Sequence, residues 1–91
     1  MAEPKYKAHI SMQMLGPGIY NISSQKAFSV TFETDQHSID IGCTIDGVRP
    51  FIGTTEFRCP TIDGVIDQNF KIVVPQGRAY LIVTYMHISH V

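Results

Sequence analysis

The chain has 91 residues, 44% of them hydrophobic and 16% charged, below the roughly 25% charge of an average soluble domain, which argues against disorder and against a second independent core. Seven Lys and Arg face eight Asp and Glu, a net charge of -1 with no run of like charge, so the electrostatic footprint of a nucleic-acid binder is missing. No stretch approaches the roughly 18 consecutive apolar residues of a membrane helix, and the opening Met-Ala-Glu-Pro-Lys-Tyr-Lys lacks the apolar segment of a secretory signal; one domain over 1–91, made in a cytoplasm and without a membrane partner, is expected.

In chain order the dominant period is two rather than 3.6. Even positions Tyr6, Ala8, Ile10, Met12 and Met14 are apolar and alternate with Lys5, Lys7, His9, Ser11 and Gln13, which predicts a half-buried strand with its even face inward. Leu15-Gly16-Pro17-Gly18 breaks it, Ile19 to Ile22 forms a short strand, and Ser23 to Lys26 turns. Phe28, Val30 and Phe32 mark the inner face of the next strand, followed by a turn at Thr34 to His37. Ile39, Ile41, Cys43 and Ile45 then alternate with Ser38, Asp40, Gly42 and Thr44, which reads as a further strand.

A phrase recurs here: Thr44-Ile45-Asp46-Gly47-Val48 returns as Thr61-Ile62-Asp63-Gly64-Val65. Asp-Gly between apolar residues suits the two positive φ angles of a type I′ turn, so two hairpin tips are predicted. Pro50 and Pro60 push the strand material around them to sheet edges, because proline cannot donate to a ladder. Phe70, Ile72 and Val74 mark another strand, Pro75 to Arg78 turns the chain, and Ala79 to Ile88 is expected to return antiparallel beside it. No segment of 10 to 12 residues has helical spacing between capping signals. The fold class that results is all-β, a small antiparallel β-sandwich, jelly-roll-like, of about eight short strands.

The last strand departs from simple alternation. Its odd positions Ala79, Leu81, Val83 and Tyr85 make one apolar face, and its even positions Tyr80, Ile82, Met86 and Ile88 make a second, with Thr84 the polar interruption. Something must cover both faces: the chain's own loops or terminus on one reading, another subunit or partner on the other. Tyr80, Ile82, Met86 and Ile88 are therefore the candidate interface.

Residues with chemical potential have plainer readings. His87 and His90 stand three apart, which on a strand points them to opposite faces rather than at one metal. Asp63, Asp67 and Asn69 lack the spacing of a calcium loop and read as turn chemistry. Cys43, with His37 and Asp35 or Asp40 close in sequence, shares its parity with Ile39, Ile41 and Ile45, and Cys59 shares its own with Phe57. Both are read as reduced core thiols, with a single bridge as the alternative. There is no nucleophile elbow, phosphate loop or dinucleotide fingerprint, so no catalytic residue, metal or cofactor is assigned. Tyr20, Asn21, Arg49 and Phe51 are less easily placed inside and are the candidate loop-tip binding residues. The expected function is a non-enzymatic, homo-oligomeric structural protein binding other structural proteins, of the kind found as small virion accessory subunits such as phage capsid decoration or fibre-base proteins. A small carbohydrate-binding module and an inhibitor of a host protein are the alternatives.

Overall fold

The computed structural model describes residues 5–59 and 64–89. Seven strands and one short helix follow in order: β1 (Lys5–Leu15), β2 (Gly18–Ser23), β3 (Ser29–Thr34), α1 (Gln36–Asp40), β4 (Thr44–Ile45), β5 (Gly53–Arg58), β6 (Asn69–Val74) and β7 (Ala79–Ser89). They form a four-stranded sheet in the order β1-β7-β3-β5 and a three-stranded sheet in the order β2-β6-β4, with every pairing antiparallel. Odd-numbered strands all lie in the first sheet and even-numbered strands in the second. The protein is all-β, and its strand interleaving is that of a jelly roll.

That interleaving corrects one expectation. β6 and β7 are joined through Pro75 to Arg78 but do not pair, because the chain crosses from one sheet to the other there. The same holds at each connection between consecutive strands. At Gly16-Pro17, between β1 and β2, the chain leaves one ladder and enters the other across a corner, where a proline costs no ladder bond.

The core lies between the sheets and follows the alternation of β3, β6 and β7. Val30 and Phe32 come from β3, Phe70, Ile72 and Val74 from β6, and Ala79, Leu81, Val83 and Tyr85 from β7. Three rings bridge the layers: Phe32 meets Phe57 at 5.7 Å and Phe70 at 5.1 Å, and Phe57 meets Phe70 at 4.8 Å. Aromatic pairs at such offsets add stabilisation beyond the area they bury. β5, flanked by Pro50 and Pro60, is an edge strand as its prolines required.

The segment read as a strand from Ile39 to Ile45 begins instead as α1. Asp35 caps this helix: its carboxylate accepts from the Ser38 backbone N–H at 2.9 Å and from the Ser38 hydroxyl. Ile39 and Cys43 still reach the interior, so the alternation of apolar residues was real, but a helical turn and a bend deliver it. The Asp46-Gly47 turn is as expected, with φ of 52° and 77° and reciprocal bonds between Ile45 and Val48. Thr61, Ile62 and Asp63 of the second copy lie outside the described residues, and 64–68 run without a strand. That run is tied by its backbone to the Ser24 to Ala27 turn, where Ser24 donates to Gln68 and Ile66 donates to Ala27.

Candidate functional site

Antiparallel partners directly opposite each other project to the same side of a sheet. The register of β1 on β7 places Ala8 opposite Met86, Met12 opposite Ile82 and Met14 opposite Tyr80. The expected interface residues Tyr80, Ile82, Met86 and Ile88 are half-buried on the outer face of the first sheet, and β1 extends that face with Ala8, Ile10, Met12 and Met14. This overturns the inward even face predicted for β1: Ile10 is 61%, Met12 66% and Met14 61% exposed. The polar residues Ser11 and Gln13 take the inner side instead, half-buried and bonded to one another at 3.0 Å, and among the described side chains of this strand only Leu15 enters the core. The Tyr6 side chain lies outside the described ones.

The reason is registry with β7. The odd residues of β7 are committed to the core, so the odd residues of β1 opposite them must face the same way, whatever their polarity. Period two announces two faces but does not say which is inside. The surest clue was β7 itself, whose second apolar face needed an apolar neighbour strand beside it.

The other half of the same outer face is polar. β3 presents Ser29, Thr31 and Glu33, and β5 presents Thr54, Glu56 and Arg58, each column aligned with the next through the registers of β3. The outer face thus passes from apolar at β1 and β7 to charged at β5. Where the halves meet, Phe28, Ser29, Glu56, Arg58 and Met86 line a shallow depression of about 340 Å³, with the Arg58 guanidinium 5.1 Å above the Phe28 ring.

The loop-tip candidates do not form one site. Tyr20 and Asn21 lie within β2, at one edge of the second sheet, and the Tyr20 hydroxyl donates to the Gly16 carbonyl at 2.8 Å. Arg49 and Phe51 lie in the connection that crosses from β4 to β5, where the Phe51 N–H donates to Thr55 Oγ1 of β5. Phe51 is 71% exposed, and Val48 and Ile52 beside it are exposed as well.

The residues considered for nucleophilic chemistry sit in different surroundings. Cys43 is buried, and desolvation pushes its thiol pKa up, away from the thiolate that attack requires. The Asp35 carboxylate is occupied by Ser38, while His37 is exposed. No disulfide joins Cys43 to Cys59. His87 Nε2 lies 3.0 Å from the Gln25 carbonyl, and His90 and Asp63 lie outside the described residues. Among the described residues no group of three or more His, Cys, Asp and Glu side chains could hold a metal ion, and no helix is long and apolar enough to cross a membrane. Comparison with known proteins returns no matching family model, no matching curated sequence and no matching solved structure.

Proposed function

We propose that the protein is a non-enzymatic structural subunit that assembles with copies of itself through the outer face of β1 and β7, in the manner of small virion accessory proteins such as capsid decoration or fibre-base subunits. One observation carries this reading: Ala8, Ile10, Met12, Met14, Tyr80, Ile82, Met86 and Ile88 share one face of two paired strands, with no charged side chain among them. Two strands of this length offer a face of roughly 36 by 10 Å, on the order of 350 Å² in projection and more once side-chain relief is counted. That is as large as the largest apolar patch of a typical monomer, and two such faces stacked approach the lower range of specific interfaces.

The jelly-roll interleaving is shared by capsid and lectin domains, so fold analogy alone favours neither a virion subunit nor a carbohydrate module. The distribution of apolar surface separates them. A sugar site needs converging polar groups around an aromatic platform, whereas Tyr20 lies in β2 of the second sheet and Phe51 lies beside β5 of the first, its N–H donating to Thr55 Oγ1. An inhibitor would use the exposed connection around Phe51, a smaller surface than the strand face.

Met12→Glu tests the proposal, because Met12 is 66% exposed in the single chain and a carboxylate there leaves the fold intact. Sedimentation velocity over a wide concentration range is expected to give an oligomer for the wild type and a monomer with unchanged circular dichroism for the variant. A wild type that stays monomeric at the highest concentration, or a variant with unaltered mass, overturns the reading. Glycan-array binding lost on Phe51→Ala would favour the carbohydrate alternative.

A further inference from the structure

The free edge of β1 has a geometry of its own. Tyr80 donates its backbone N–H to Ser38 Oγ at 2.8 Å and accepts from Thr34 Oγ1 at 2.9 Å, and the Met86 carbonyl accepts from the Phe28 N–H at 2.8 Å. Even-numbered residues of β7 therefore turn their backbone groups toward β3, and odd-numbered ones toward β1. By the register, it is the odd residues of β1 that complete that ladder. The N–H and C=O groups of Ala8, Ile10, Met12 and Met14 point the other way, along an edge on which no described strand lies.

Edge strands are ordinarily blunted by proline, a bulge, short length or charge. β1 pairs with β7 without interruption from Lys5 to Leu15, contains no proline, and carries its described charge at Lys7 near one end. We infer that this edge pairs antiparallel with β1 of a second copy, joining two four-stranded sheets into one continuous sheet about a two-fold axis. The inference rests on the self-association proposed above and specifies its contact.

Parity makes the edge self-complementary. Only even residues offer backbone groups to it, so even residues must lie opposite even residues, and the apolar face of one copy continues into that of the other. If the axis passes at Ile10, Ala8 faces Met12 and Lys7 faces Gln13; if it passes at Ser11, Ala8 faces Met14, Ile10 faces Met12 and Lys7 faces Leu15. Neither register opposes two like charges. The pairing also moves the apolar patch from the margin of one sheet to the centre of the joined one, where β7, β1 and their two counterparts span roughly 36 by 19 Å. Polar β3 and β5 columns then lie on both sides, which is the apolar centre and polar rim of a protein interface.

Amide hydrogen exchange measured by NMR at low and high protein concentration tests this on the unmodified chain. The Ile10 and Met12 amides are expected to exchange freely when dilute and to slow about tenfold or more as the oligomer forms. A second test is Met12→Pro, which removes an outward N–H and leaves the Ser11 and Gln13 bonds to β7 in place; its association is expected to be lost with circular dichroism unchanged. An oligomer whose Ile10 and Met12 amides remain unprotected, or a folded Met12→Pro protein that associates like the wild type, overturns the edge pairing while leaving face-to-face assembly standing. A wild type with no association at any concentration removes both.

Discussion

β1 and β7 are each eleven residues long and pair over their whole length, yet different forces hold them. β7 lies between two strands, sends Ala79, Leu81, Val83 and Tyr85 into the core, and has its entry fixed at Tyr80 by Thr34 and Ser38. β1 lies at the sheet edge, contributes Leu15 to the core, and turns its remaining described apolar side chains to water. The first strand belongs to the folding unit. The second is attached to it by a ladder, with Ile10, Met12 and Met14 left largely exposed.

The largest effect that sharpens this contrast comes from paired truncations. Leu81→Ala, at a site 1% exposed, should cost about 2–5 kcal/mol through lost burial and the cavity left behind. Met12→Ala, directly across the ladder from Ile82, should cost less than about 0.5 kcal/mol in dilute solution, as exposed substitutions usually do. Urea unfolding of both variants at low concentration gives the two numbers. Comparable losses would mean that β1 is packed inside the unit after all.

A smaller effect is expected at the anchored end of β7. Ser38 is fully buried; its hydroxyl donates to Asp35 and accepts the Tyr80 N–H where the β3 ladder has run out. Ser38→Ala leaves that N–H without its acceptor and should cost about 1–3 kcal/mol. If thermal unfolding of Ser38→Ala matched the wild type, β7 would be held by its core face alone.

The smallest effect is one of pH at the same anchor. Hydrogen bonds from Ser38 hold the Asp35 carboxyl below its ordinary value, with His37 adding to the shift. A depressed carboxyl stabilises the fold above its unfolded value and stops doing so as pH falls through the folded one, so this contribution should fade below about pH 4. Asp35→Asn should show a shallower acid dependence of stability over that window, and an unchanged acid limb would remove Asp35 from the anchor.

Much of this was readable from residue order. The inner faces of β3, β6 and β7 follow the alternation of Val30 and Phe32, Phe70 to Val74 and Ala79 to Tyr85, because one dry side of a sheet imposes a period of two; Phe28, expected with them, precedes β3 and lies beneath Arg58 at the outer depression. Asp46-Gly47 announced its turn through the two left-handed angles it must adopt. What was not readable depends on neighbours far along the chain. The direction of the β1 face is dictated by β7, and the crossing at Pro75 to Arg78 looks locally like any short turn. At Ile39 to Ile45 the pattern suited a strand, while the capping pair Asp35 and Ser38, three residues apart, carried the opposing helical signal.

The alternation of strands between the sheets also governs how the molecule must fold. No strand pairs with the one that follows it, and the longest ladder joins Lys5 to Ser89. Even the least distant strand pairing, β3 with β5, begins at Thr34 and Gly53. Loop-closure entropy therefore precedes nearly every gain from contact, which places the chain with the slow, non-local folders that take milliseconds to seconds. Since Lys5 and Ser89 stand opposite each other, a circular permutant linking those two positions and opened between Val48 and Ile52 would turn the most remote ladder into a local hairpin. It would keep the same architecture and reach it by a faster route.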